Sequence, residues 1–167
     1  RVTLVKDNFS NLTMALDDLG IDHIDGALFD LGMSSPQVDE AERGFGWTHP
    51  GPLDMRMDRD QDITAANLVN DLSAEDLQEI FETFGEERFS QRIARSIVQV
   101  RRKSPIRNTD ELASIVASAI PARFWPPRRH PATRTFQALR IAVNHELDVL
   151  PAALKDAISR LRPGGRI

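Results

Sequence analysis

The stretch IDGALFDLGMSSPQ, residues 24–37, decides how this chain is read. An apolar run, Ala27-Leu28-Phe29, ends on a carboxylate, Asp30. The chain then turns through Gly32 into a polar cluster, Ser34-Ser35-Pro36-Gln37. Short apolar runs bounded by turn residues read as buried strands, so residues 24–31 are expected to form a strand with Asp30 at its carboxyl end. Burial of Leu28 and Phe29 would contribute about 1.5–3 kcal/mol each and hold that strand rigid. A charge at its end needs a polar partner or solvent, because an unpaired buried charge is costly. Two readings follow. Asp30 caps the turn through backbone N–H groups, with Ser34 and Ser35 as turn formers, or it faces a ligand, since open parallel sheets bind ligands beyond the carboxyl ends of their strands.

On the amino-terminal side, residues 1–6 read as another strand. Between the two, Leu12, Met14-Ala15-Leu16 and Leu19 recur at helical spacing before Gly20. Strand, helix and strand make a βαβ unit and a parallel sheet. On the other side, residues 38–63 are irregular, with Gly44, Gly46, Pro50, Gly51 and Pro52. From residue 64 the pattern is helical. Ser73 and Asp76 have capping-box spacing ahead of Leu77, Ile80, Phe81 and Phe84. A second helix is expected over residues 86–103, a third capped by Thr109 and closed by Pro121, and a long one from Thr133 to Leu147. Pro151 is expected to open another, and Pro163-Gly164-Gly165 to turn into a further strand. These elements form a doubly wound α/β sheet interrupted after residue 30 by a helical insertion of roughly residues 50–140.

Composition narrows the class. The 167 residues suffice for one domain or pieces of two, and 41% apolar content supports a core. No apolar stretch reaches membrane-span length, and RVTLVKDNF is not a signal peptide. With no cysteine, thiolate metal sites and thiol nucleophiles are excluded, no other metal site is indicated, and a reducing cytoplasmic setting is compatible. Both ends open or close in mid-pattern, so the chain is expected to be an internal piece of a longer protein.

The net charge of −4 hides a segregation. Residues 1–85 hold 5 basic and 18 acidic side chains, whereas residues 86–145 hold 12 basic and 4 acidic. A basic segment of this kind suits a polyanion; solvated helix faces pairing across to the acidic half are the alternative.

The stretches DGALFDLGMSSPQVDEAERGF, GPLDMRMD, GEERFSQRIARSIV and HPATRTFQALRIAVNHEL resemble the RsmH (MraW) family of methyltransferases, and Asp7-Asn8-Phe9-Ser10 fits the family segment before them. The resemblance implies S-adenosyl-L-methionine as cofactor and methylation of the exocyclic amine (N4) of a cytidine in small-subunit ribosomal RNA. The implied fold is α/β: a partial class I (Rossmann-like) methyltransferase sheet, residues 1–49 and 141–167, carrying an inserted all-helical domain for RNA recognition, residues 50–140. The family's glycine-rich cofactor loop and ribose-binding acidic residue would precede residue 1, and its SFHSLEDR-type segment would follow Ile167. The isolated chain is therefore expected to hold cofactor weakly or not at all. Gly44-Phe45-Gly46 lacks the third glycine of a dinucleotide fingerprint.

The resemblance carries cofactor contacts onto Phe9, Asp30 and Gln37. Phe9 suits an adenine face, although a core aromatic covering the sheet edge is the plainer reading. Asp30 suits a cationic centre through a charge-assisted bond, and Gln37 offers both donor and acceptor. Asp30, with Ser34 or Ser35, is the expected catalytic acceptor for an amine gaining positive charge. Expected RNA contacts are Arg88, Arg92 and Arg95, spaced for one helix face, with Arg128, Arg129 and Arg134; Arg101, Arg102 and Lys103 are further candidates. Trp125 either stacks on a base or anchors its loop, and His130 is either functional or a helix-entry hydrogen bond. Arg43 carries no derivable role, and Met55 and Met57 read as core filling. The expected partner is ribosomal RNA or the small ribosomal subunit in the cytoplasm, without a membrane and with the oligomeric state open. A non-catalytic RNA-binding helical module on an α/β scaffold is the competing function.

Overall fold

The computed structural model describes residues 2–34 and 38–167. They divide into two compact units. One holds the described residues up to Gly32 together with His145–Ile167, and the other holds Met33–Asn144.

In the first unit a short 3-10 turn, Phe9–Asn11, leads into helix α1, Leu12–Asp18. The Asn8 side chain caps the turn by accepting the Ser10 N–H at 2.9 Å. Strand β1 is Ile24–Gly26, α7 is Glu146–Arg160 and β2 is Leu161–Arg166. β1 and β2 pair in parallel, Ile24 with Leu161 and Gly26 with Arg166, with an irregularity between. Leu16 of α1 and Ala153 and Ala157 of α7 are buried, and Arg160 pairs with Asp17 across the two helices. The small parallel pair and its packed helices agree with part of an α/β sheet.

Four sequence expectations change. Residues 2–6 are not a strand, and Val2 and Leu4 are 84% and 92% exposed. The strand expected at 24–31 stops at Gly26, and Leu28 is 95% exposed, so its burial does not hold Asp30 in place. A strand needs an edge to pair on, and among the described residues the sheet has only the β1–β2 pairing. The helix expected to run to Leu147 ends at Asn144, because His145 takes a left-handed φ of 50° and starts α7. Pro151 therefore lies inside α7 rather than at its start.

The second unit holds α2 (Ala65–Asp71), α3 (Ala74–Thr83), α4 (Ser90–Arg101), α5 (Thr109–Ala119) and α6 (Thr133–Asn144). Capping boxes start α2 at Thr64 with Asn67 and α3 at Ser73 with Asp76. Thr109 does not cap α5; its hydroxyl accepts the Gly51 N–H at 3.2 Å and ties the irregular segment to that helix. Leu77 and Phe81 of α3, Ile93 and Ile97 of α4, Leu112 and Val116 of α5, and Phe136 and Leu139 of α6 form one buried core. Phe45, Leu53 and Met55 join it from the irregular segment, with Met33 and Trp47 packed against it.

Candidate functional site

In the α/β unit, Phe9 sits at the start of its 3-10 turn and is 38% exposed, with the Phe29 ring edge-on at 6.2 Å. Asp30 is exposed, and so is Ser34, which belongs to the helical unit. Ser35 and Gln37 lie outside the described residues.

In the helical unit the motifs ERGF and DMRMD form one fastening. Arg43 donates through one guanidinium nitrogen to the Arg56 and Met57 carbonyls at 2.8 and 3.1 Å. Arg56 grips the Asp54 carboxylate with two donors, at 2.8 and 3.0 Å, and donates to the carbonyls of Arg59 and Gln61. Burial alone would push the Asp54 carboxyl up. Hydrogen bonds from the Arg56 side chain and backbone, and the charges of Arg56 and Arg59, outweigh it and leave Asp54 below its ordinary value. The same pairing raises Arg56. Arg43 thus has a structural role that its sequence position did not disclose.

Beside this fastening lies a cavity of about 300 Å³ whose walls include Met33, Phe45, Trp47, Thr133, Phe136 and Gln137. Trp47 stacks on His130, with ring centres 5.1 Å apart, and meets Phe136 edge-on at 5.2 Å. His130 Nδ1 accepts the Ala132 N–H at 3.2 Å, and its carbonyl accepts the Thr133 N–H and hydroxyl. This is the helix-entry role. Burial lowers its pKa.

The arginines separate into different groups. Arg88 precedes α4, so it does not share a helix face with Arg92 and Arg95. Its guanidinium lies 4.9 Å from the Phe89 ring and 4.7 Å from that of Phe124, with Arg123 also over Phe124. Arg92, Arg95, Arg128 and Arg129 are exposed. Arg134 donates to the Glu86 carbonyl at 2.6 Å. Arg101 turns inward and donates to the Val69 and Leu72 carbonyls at the end of α2. Trp125 donates its indole N–H to the Ile120 carbonyl at 3.0 Å while remaining 45% exposed, as a loop anchor does.

All 167 residues match the model of the MraW methylase family. The chain belongs to that family. Over 167 residues it is 55% identical to the ribosomal RNA small subunit methyltransferase H of Thermobifida fusca, and over 165 residues it is 54% identical to the protein of the same name from Pelobacter propionicus. The Brevibacillus brevis protein of that name is 51% identical over 167 residues. These alignments cover 99–100% of the chain and 51–53% of each relative, so the chain spans about half the length of the curated relatives it matches. Among the described residues, no group of acidic or histidine side chains is placed to hold a metal, and no helix is long and apolar enough to cross a membrane. Sequence reasoning missed Trp47 in this member of the MraW methylase family. The aromatic GFGW run beside two glycines was its one available signal.

Proposed function

We propose that this chain is part of an S-adenosyl-L-methionine-dependent methyltransferase that modifies N4 of a cytidine in small-subunit ribosomal RNA. The α/β unit belongs to a class I methyltransferase core, and residues 50–140, within the helical unit, form an inserted domain that holds the RNA. The observation carrying this reading is the family match along the whole chain, joined to relatives above 50% identity that share one name. The charge of residues 86–145 adds to it.

The described residues fit the cofactor in kind. The Phe9 ring is open enough to lie against adenine, and the exposed Asp30 carboxylate suits a cationic centre. Gln37, outside the described residues, carries the donor and acceptor that suit a zwitterionic amino acid. S-adenosyl-L-methionine supplies an electrophilic methyl group on a sulfonium. The cytosine amine is a weak nucleophile because its lone pair is shared with the ring. Asp30, with Ser34 or Ser35, orients that amine and accepts hydrogen bonds from it as positive charge develops. Arg88, Arg92, Arg95, Arg128, Arg129 and Arg134 are the proposed RNA contacts, in the cytoplasm with the small ribosomal subunit as partner.

The test uses the full-length protein carrying this chain, methyl-labelled cofactor and small-subunit ribosomal RNA, followed by nucleoside mass analysis. Label on N4-methylcytidine is expected. Asp30→Ala is expected to abolish it while RNA binding survives. Label on another nucleoside, or turnover intact in Asp30→Ala, overturns the substrate or the site assignment respectively.

A further inference from the structure

The cavity beneath Trp47 is not used by any role assigned above, and its chemistry is specific. Trp47 is its half-buried aromatic wall, Phe45 and Phe136 close it as core residues 6% and 3% exposed, and Gln137 and Thr133 place polar groups on its α6 side. Gln137 is exposed, and its amide carries both donors and an acceptor. Met33 places the cavity wall one residue from Ser34. A volume of about 300 Å³ lies at the small end for ligand pockets, enough for a single ring system and too little for a folded peptide segment.

Enzymes that modify a base in folded RNA must take it out of its stack. They hold the extruded base between aromatic or apolar side chains and read its edge by hydrogen bonds. Aromatic walls combined with one amide and one hydroxyl match those requirements. The stack of Trp47 on His130 and its edge contact with Phe136 fix the indole before any base arrives, so little ordering remains to be done on binding.

We propose that the cavity walled by Phe45, Trp47 and Phe136 receives one extruded nucleobase of the RNA, stacked on the Trp47 indole and hydrogen-bonded at its edge by Gln137. This deepens the methyl-transfer reading and rests on it for the identity of the RNA, but the pocket has a binding readout of its own.

Gly46 supplies an independent variant. A Cβ added there meets Val38 O at 3.7 Å and Thr48 Oγ1 at 3.9 Å, ordinary contacts with two residues that line the cavity. Gly46→Val therefore adds bulk at the cavity wall without removing the indole itself.

The experiment compares the binding of oligocytidylate and of inorganic polyphosphate, which carries charge without bases, to the full-length protein. Trp47→Ala and Gly46→Val are expected to weaken oligocytidylate binding by about ten-fold, the scale of one lost base stack, with Gln137→Leu weakening it less. Polyphosphate binding is expected to be unchanged in all three. Equal losses on both ligands, or no loss on oligocytidylate in Gly46→Val and Gln137→Leu, overturn the proposal. The two readings fail separately. Methylation of cytidine with pocket variants behaving as the parent removes the pocket alone, whereas base binding lost in the variants without any methyl transfer removes the enzyme reading alone.

Discussion

Asn144, the last residue of α6, is bonded to Met57 across 87 positions of sequence: its side-chain oxygen accepts the Met57 N–H at 2.6 Å. The same amide donates to the Met55 carbonyl, and to that of Arg140, at 2.8 Å. Met55 is fully buried with a left-handed φ of 62°, a conformation that costs free energy and persists only where its surroundings enforce it. Asn144, Arg43 and Arg56 are the enforcing groups. Asn144→Leu leaves backbone groups on both sides unsatisfied, and a loss of about 1–3 kcal/mol is expected. Urea denaturation showing a lower midpoint at unchanged slope checks it.

Arg101 makes a second long-range tie. Its guanidinium satisfies carbonyls at the carboxyl end of α2, which has no further helical turn to take them. Bonds to a charged group contribute about 1.5–3 kcal/mol each way of counting the loss, so Arg101→Ala is expected to lower stability on that scale. Arg101→Lys recovers little, because an ammonium lacks the fork that reaches both carbonyls. RNA affinity measured on the folded fraction is expected to stay at the parent's value. A marked loss there would return Arg101 to the phosphate contacts.

The period of apolar residues made the helices legible. Ser73 with Asp76 announced the start of α3, and Leu77, Phe81, Ile93 and Ile97 are buried at the spacing the sequence shows. Strands were legible only in kind. An apolar run such as Val2–Val5 reads as buried whether or not a neighbouring strand exists to bury it, and here those side chains are exposed. Arg101 and Arg43 were opaque for another reason. A basic side chain reads as surface charge until its partner is known, and these partners lie 13 to 32 positions away. The candidate site divides the same way. Asp30 was marked by family motifs, whereas the cavity is assembled from Met33, Val38 and residues 45–48 with Thr133, Phe136, Gln137 and Arg140, and no local pattern joins those segments.

Gly51 and Gly44 are held by space rather than by turn preference alone. A Cβ on Gly51 would lie 1.9 Å from Ala41 O, and one on Gly44 would lie 2.1 Å from Pro52 O at a φ of +68°. Both obstacles are backbone, which cannot step aside as a flexible side chain can. Gly51→Ala is expected to cost about 1–3 kcal/mol or more, seen as a fall in thermal midpoint. Gly46→Ala, whose added carbon meets only ordinary contacts, is expected to fall far less and serves as the matched control.

Two groups contribute to the pH dependence with known sign. His130 is held below its ordinary value of 6.5 by burial, so the unfolded chain binds that proton more readily. Its contribution is complete above about pH 6.5 and is lost as pH falls through the lower folded value. Asp54 is likewise below its ordinary 3.8, so its contribution holds above that pH and disappears only in stronger acid. Stability measured from pH 8 to 3 is expected to decline in two stages. His130→Phe is expected to flatten the upper stage and Asp54→Asn the lower. A profile unchanged in either variant assigns that stage to another group.

The exposed arginines give the last prediction, because the packing divides them. Arg92, Arg95, Arg128 and Arg129 are exposed. Arg88 is laid on two aromatic rings and Arg134 donates to a backbone carbonyl. Each phosphate that an arginine neutralises releases counterions and adds about 0.7–0.9 to the slope of log affinity against log salt. Arg92→Ala, Arg95→Ala and Arg129→Ala in the full-length protein are each expected to shallow that slope by one such increment with no change in thermal midpoint. Arg134→Ala is expected to lower the midpoint as well, since the Glu86 carbonyl loses its donor. If the slope of the parent is flat, the charge segregated into residues 86–145 does not meet RNA, and the helical unit's contact with nucleic acid then reduces to stacking and hydrogen bonds.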